Sequence, residues 1–77
     1  MSTINERWNE YRERVIPKDA GEIQLKETRR AFYAGTISTL EAVLALKEES
    51  DEKAIAWLHA TEDECLAFAF HIGEGKA

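Results

Sequence analysis

The fold depends most on residues 22–49, EIQLKETRRAFYAGTISTLEAVLALKEE. Within it, apolar or small side chains recur at helical spacing, at Leu25, Thr28, Phe32, Thr36, Leu40 and Val43. The whole chain of 77 residues has one proline and four glycines, a composition that favours helix. We therefore predict an all-α protein whose long central helix spans residues 22–49. Gly35 lies inside this helix and has two interpretations. It allows another backbone or a ligand to approach closely, or it is simply tolerated as a mild kink.

A first helix is predicted upstream, over residues 3–15. Thr3 and Glu6 have the spacing of a capping box, which marks the start of a helix. A narrow apolar stripe follows at Ile4, Trp8, Tyr11 and Val15. Pro17 ends the helix, because the residue before a proline is pushed out of the helical conformation.

A third helix is predicted over residues 51–72, followed by a short tail at residues 73–77. Ser50 or Asp51 provides an N-cap, and Gly73 provides a C-terminal stop. Trp57 and Phe68 share a second side of this helix, apart from its main apolar stripe. That second face is a candidate subunit interface, although loose packing under the first helix explains it nearly as well.

The length of the chain favours self-association. A chain of 77 residues makes a single domain, residues 1–77, close to the lower limit for an unaided core. Chains this short usually need disulfides, a metal or a partner subunit, and Cys65 is the only cysteine. We predict a three-helix arrangement, a helical hairpin or bundle, that forms a homodimer or a higher oligomer.

Charge is distributed unevenly along the chain. Residues 1–33 contain seven Lys/Arg and six Asp/Glu, whereas residues 34–77 contain three Lys/Arg and nine Asp/Glu. The whole chain has a formal net charge of -5. An acidic chain argues against general DNA or RNA binding, but one local anion site remains compatible with the first half. No apolar run is long enough to span a membrane and no signal peptide is evident, so we expect a soluble protein without a membrane partner.

The first half contains a cluster of candidate ligand-binding residues. Four of them share one side of the central helix, next to its apolar stripe: Lys26, Arg29, Arg30 and Tyr33. Guanidinium groups at the rim of packed surface suit phosphate, and a phenol can stack on a base. The alternative is an ordinary solvated face, in which Glu22 and Glu27 pair with these cations.

Other residues could complete such a site. Trp8, Tyr11 and Arg12 offer a second wall if the first helix folds back across the second, and Trp8 would stack on the base. The amide of Gln24 could read a base edge.

The sequence gives no support for catalysis or for a metal. There is no nucleophile beside a base, no glycine-rich phosphate loop and no paired carboxylates with a plausible cleft. His59 and Asp63 are spaced to share an ion, but His71 lies twelve residues beyond His59 and Cys65 belongs to the apolar stripe. We expect no enzyme activity, no metal and no cofactor.

Residues 8–44 carry a resemblance. Trp8, the turn Val15-Ile16-Pro17 with Ala20, Gln24 and the string Glu27-x-Arg29-Arg30-Ala31-Phe32-Tyr33-Ala34-Gly35 resemble a group of short phage and prophage proteins of proteobacteria. That group shares an early tryptophan, a V-[IL]-P-x-x-A turn and an R-R-A-F-Y-A-G helix. The match covers about half of the chain, and its second segment is the more specific.

The resemblance implies a phage accessory protein that acts in the host bacterial cytoplasm. Small helical phage proteins of similar kind sequester nucleotide signals of defence systems such as Thoeris and CBASS, so the analogy favours an anti-defence protein that captures a cyclic nucleotide or a cyclic ADP-ribose derivative without catalysis. The alternative is an acidic inhibitor or adaptor that blocks a host defence protein, with a surface formed by Glu41, Glu48, Glu49, Asp51 and Glu52.

Overall fold

The fold is all-α, as predicted. In the computed structural model, which describes residues 1–76, the chain forms α1 (Ile4–Val15), α2 (Glu22–Ala45), a short 3-10 helix (Leu46–Glu48) and α3 (Asp51–Gly73). The chain divides within α2 into two compact units, Met1–Glu41 and the residues from Ala42 onward, and the expectation of one domain stays a prediction. None of the helices in residues 1–76 combines the length and the apolar content needed to cross a membrane.

The start of α1 is fixed by the predicted capping box. The Thr3 hydroxyl accepts from the Glu6 backbone N–H at 3.1 Å, while the Thr3 N–H donates to Glu6 Oε1 at 3.2 Å. Two backbone donors that helix geometry leaves unpaired are thus satisfied. The helix ends at Val15, and Ile16 is extended (φ -89, ψ 127), as a residue before proline prefers.

The core of the first unit is a small aromatic cluster between α1 and α2. Trp8 is the only buried apolar side chain among the described residues, at 4% exposure. Its ring meets Phe32 edge-on at 5.5 Å between centroids, and Tyr11 lies 5.5 Å from Phe32. The first helix therefore folds against the second, so the two walls predicted for a ligand site do come together.

The predicted apolar stripe of α2 is covered only along its first half. Leu25, Thr28, Phe32 and Thr36 are half-buried. Leu40 and Val43 are exposed, at 53% and 39%. The stripe was correctly assigned to one side of the helix, but α1 is too short, at 12 residues, to cover all of it.

The end of α2 differs from the prediction. The α-helix stops at Ala45 rather than near Glu49, and the last turn tightens into the 3-10 helix. The Glu49 N–H then donates to the Leu46 carbonyl at 3.0 Å. Helix ends often tighten in this way, because 3-10 bonds satisfy carbonyls that lack an α-helical partner.

The second unit consists mainly of α3. Ser50 is its N-cap, and the Ser50 hydroxyl accepts from the Lys53 N–H at 3.3 Å. After Gly73 the first residues of the predicted tail form an ordered turn, in which Gly75 adopts φ 75 and the Lys76 N–H donates to the His71 carbonyl at 2.9 Å. This is the left-handed glycine cap that satisfies helix-end carbonyls. Ala77 lies outside the described residues.

Candidate functional site

A groove of about 650 Å³ lies in the first unit, along α1 and the first half of α2. This volume is within the range of small-molecule sites. The groove is lined by Trp8, Arg12, Glu22, Leu25, Lys26, Arg29, Arg30 and Tyr33. Six of the eight residues predicted for a ligand site therefore meet at one surface, and Tyr11 and Gln24 do not line it.

The lining of the groove is strongly positive. Four cationic side chains line it against one carboxylate, Glu22, so the lining has a formal excess of three positive charges. The chain as a whole has a net charge of -5. Lys26, Arg29 and Arg30 converge because residues three and four apart lie on the same side of a helix, and Arg12 approaches from α1. An anion is the complementary ligand for such a surface.

Arg29 and Tyr33 form a cation–π pair at the groove. The Arg29 guanidinium carbon lies 5.5 Å from the centre of the Tyr33 ring, within the range of favourable cation–π contacts. Tyr33 is half-buried and its ring contacts Phe32 at 6.1 Å. Within residues 1–76, no carboxylate lies within 4.0 Å of Arg29. The guanidinium is thus oriented by an aromatic ring rather than by an acid.

Arg30 does pair with an acid, as the alternative interpretation expected. Its Nη1 lies 3.3 Å from Glu27 Oε1, and the two side chains are 66% and 65% exposed. An exposed helix pair of this kind contributes only about 0.3–0.5 kcal/mol. A phosphate oxygen can therefore replace the Glu27 carboxylate at little cost.

Trp8 lines the groove, but its predicted stacking role does not fit its burial. A side chain with 4% exposure has both ring faces covered, so it cannot receive a base. The indole N–H has no hydrogen-bond partner in residues 1–76. Every buried side-chain polar atom in this range does have a partner, so the indole N–H is not buried and reaches solvent. Trp8 forms the floor of the groove and leaves one donor accessible.

Gln24 does not line the groove, contrary to its predicted role. It lies nine residues before Tyr33, which is about two and a half helical turns and places it on the opposite side of α2. Its backbone carbonyl accepts from the Thr28 hydroxyl at 2.7 Å. Gln24 therefore lies outside this groove, and its role as a reader of a base edge stays a prediction.

Leu25 is the groove residue that sequence reasoning missed. It was assigned to the packed stripe, and it is half-buried. Its spacing contains the signal, since Leu25 precedes Arg29 by four residues, which is close to one helical turn. It adds an apolar wall next to the cations, which a flat ring can contact.

Likeness to other proteins adds nothing to this description of the groove. The chain matches no protein-family model, no curated protein and no solved structure.

Proposed function

We propose that the protein binds and sequesters a phosphate-bearing nucleotide, either a cyclic nucleotide or a cyclic ADP-ribose derivative, without converting it chemically. The observation that carries the proposal is the convergence of four cations on one groove in an otherwise acidic chain. Charged heads at a rim and apolar groups below them match a ligand with phosphates and a flat ring.

The groove residues have distinct roles in this proposal. Arg29 and Arg30 hold phosphate oxygens through paired N–H donors, and Lys26 and Arg12 add charge. The base packs against Tyr33 and Leu25. This arrangement places the ring contact on the half-buried residues and the charged contacts on the exposed ones.

The biological setting is proposed from the resemblance to short phage and prophage proteins. We infer an anti-defence protein of a phage that acts in the host bacterial cytoplasm and lowers the free concentration of a defence signal. Its helices would pack as a hairpin or bundle within a homo-oligomer. A binding protein present in excess over its ligand suffices for this role, so no catalytic group is needed.

A ligand panel tests the proposal. Thermal-shift measurements followed by calorimetry would compare cyclic oligonucleotides and cyclic ADP-ribose isomers with inorganic phosphate and an unphosphorylated nucleoside. A true ligand stabilises the folded state by about 2.7 kcal/mol at roughly 100 times its Kd. We expect saturable binding of at least one cyclic nucleotide, weak binding of inorganic phosphate and none of the nucleoside.

The alternative, an inhibitor of a host defence protein, predicts a different outcome. From Ala42 to Lys76 the chain has eight Asp/Glu and three Lys/Arg, a surface that would attract a basic partner. If no nucleotide binds and a host defence protein copurifies and dissociates in salt, the sequestration proposal is wrong and the alternative is supported.

A further inference from the structure

One side of α3, where the predicted apolar stripe borders the face that carries Phe68, has apolar or small side chains at alternating intervals of four and three residues. These positions, here called the α3 seam, are Ala54, Leu58, Thr61, Cys65, Phe68 and Ile72. An alternating repeat of this kind averages 3.5 residues, so the stripe keeps facing a partner helix along its length. None of the six side chains is charged, which suits an interface from which water is excluded.

Within a single chain, the α3 seam is only partly covered. Ala54 and Thr61 are half-buried. Leu58 is 50% exposed, Phe68 60% and Ile72 56%. Large apolar side chains at regular helical spacing mark an interaction surface when they remain in contact with water.

The whole chain exposes more area than a compact monomer of its mass, by an amount within the range that homodimers bury. The chain exposes 6769 Å², whereas a folded monomer of its mass, 8.8 kDa, exposes about 4,800 Å². The excess is about 2,000 Å² per chain, or about 4,000 Å² for two chains, and obligate homodimers bury about 2,000–5,000 Å² in total. Trp8 is the only buried apolar side chain in residues 1–76, so a second copy would supply a core that one chain lacks.

We propose that the α3 seam is the interface of a homodimer in which two copies of α3 pack antiparallel. The seam positions are symmetric about position 63, as a two-fold axis requires. The axis sets Ala54 opposite the partner's Ile72, Leu58 opposite the partner's Phe68, and Thr61 opposite the partner's Cys65. Small side chains then face large ones at both ends, and two small ones meet at the centre.

Charge also favours the antiparallel orientation. Asp51 and Glu52 lie in the first turn of α3, and Lys76 follows its end. A parallel pair would align the two helix dipoles and place the acidic first turns side by side. The antiparallel pair opposes the two dipoles and places the acidic first turns at opposite ends of the interface, whereas Lys76 is already paired with Glu74 of its own chain at 3.3 Å.

The first test measures the mass of the whole protein in solution by sedimentation or light scattering. Wild type should have twice the 8.8 kDa mass of the chain. Phe68→Glu should raise the dimer Kd by roughly 100-fold or more, because each dimer would then bury two carboxylates. Phe70→Glu is the matched control: Phe70 is 65% exposed but lies on another side of α3, so Kd should change by no more than about threefold.

Two results would overturn the proposal. One is a wild type that stays monomeric at high micromolar concentration, which would leave the seam to a different protein. The other is an equal effect of both phenylalanine substitutions. Circular dichroism at high concentration verifies that Phe68→Glu remains helical, and Phe68→Ala provides a milder variant if it does not.

The second test measures orientation by oxidative cross-linking. Thr61→Cys should give a covalent dimer through the natural Cys65 of the other copy. Wild type should give none, because the antiparallel register offsets the two Cys65 positions by about 6 Å along the helix axis, which is too far for a disulfide between facing helices. Efficient cross-linking of wild type would show a parallel pair and contradict the antiparallel register. The seam lies in the second unit, so these results do not depend on whether the groove binds a nucleotide.

Discussion

The Arg29 guanidinium lies over the Tyr33 ring, with 5.5 Å between its central carbon and the ring centre. Tyr33 follows Arg29 by four positions, about one helical turn, so the α2 backbone itself brings the two side chains together. The Tyr33 ring also contacts Phe32, with 6.1 Å between the two ring centres. The aromatic core of the first unit therefore orients a cation that no carboxylate in residues 1–76 neutralises.

Arg29 should be the most sensitive position for nucleotide binding. Arg29→Ala removes a planar group with paired donors, and affinity should fall by about 100-fold or more. Arg29→Lys keeps the charge but loses the paired donors and the stacking on Tyr33, so the loss should be about 10-fold. Calorimetry with the best ligand of the panel measures both.

Arg7→Ala is the control for charge alone. Arg7 is exposed on α1 and does not line the groove. Its removal changes the net charge by the same amount and should leave affinity within about threefold. Equal losses in Arg7→Ala and Arg29→Ala would indicate a general electrostatic effect rather than a site.

Trp8 should be the most important single side chain for the stability of the first unit. Replacing a buried tryptophan by alanine costs about 3–5 kcal/mol, and here it also removes the contacts with Tyr11 and Phe32. Urea unfolding followed by circular dichroism, at fixed protein concentration, measures the loss. Trp57→Ala is the matched substitution, and because Trp57 is only half-buried its effect should be smaller. A larger effect at Trp57 would contradict this account of the core.

Local interactions made much of the fold predictable. The Thr3 and Glu6 pair and the Ser50 cap involve residues three apart, so the sequence contains all the groups that form them. The end of α2 was harder to predict, because residues 45–49 contain neither Pro nor Gly. The change to a 3-10 helix at this point depends on hydrogen-bond geometry, which cannot be predicted from the amino-acid composition.

The groove was predictable where helix periodicity alone determines which side chains share one side of α2. The spacing of Lys26, Arg29 and Tyr33 places them together, and the same spacing places Gln24 on the side of α2 opposite Tyr33. Trp8 was different, because a tryptophan suits a core and a base-stacking site equally well. Only its 4% exposure, a property of the packed helices, separates the two roles.

The capping box should contribute measurably to the stability of α1. Thr3→Ala removes the acceptor for the Glu6 N–H and should lower the free energy of unfolding by about 1 kcal/mol. Ser2→Ala changes a hydroxyl just outside the helix and should have almost no effect. Urea unfolding compares the two, and an equal loss in both variants would show that the cap does not support the helix.

Gly35→Ala distinguishes a tolerated glycine from a required one. A methyl group at Gly35 would meet no atom within 4 Å, and alanine is favoured over glycine inside a helix by about 1 kcal/mol. The substitution should therefore raise the free energy of unfolding by about this amount. It should leave nucleotide affinity unchanged, because Gly35 does not line the groove. If Gly35→Ala instead weakens folding or lowers the mass in solution, another chain approaches α2 closely at this point, and Gly35 belongs to an interface.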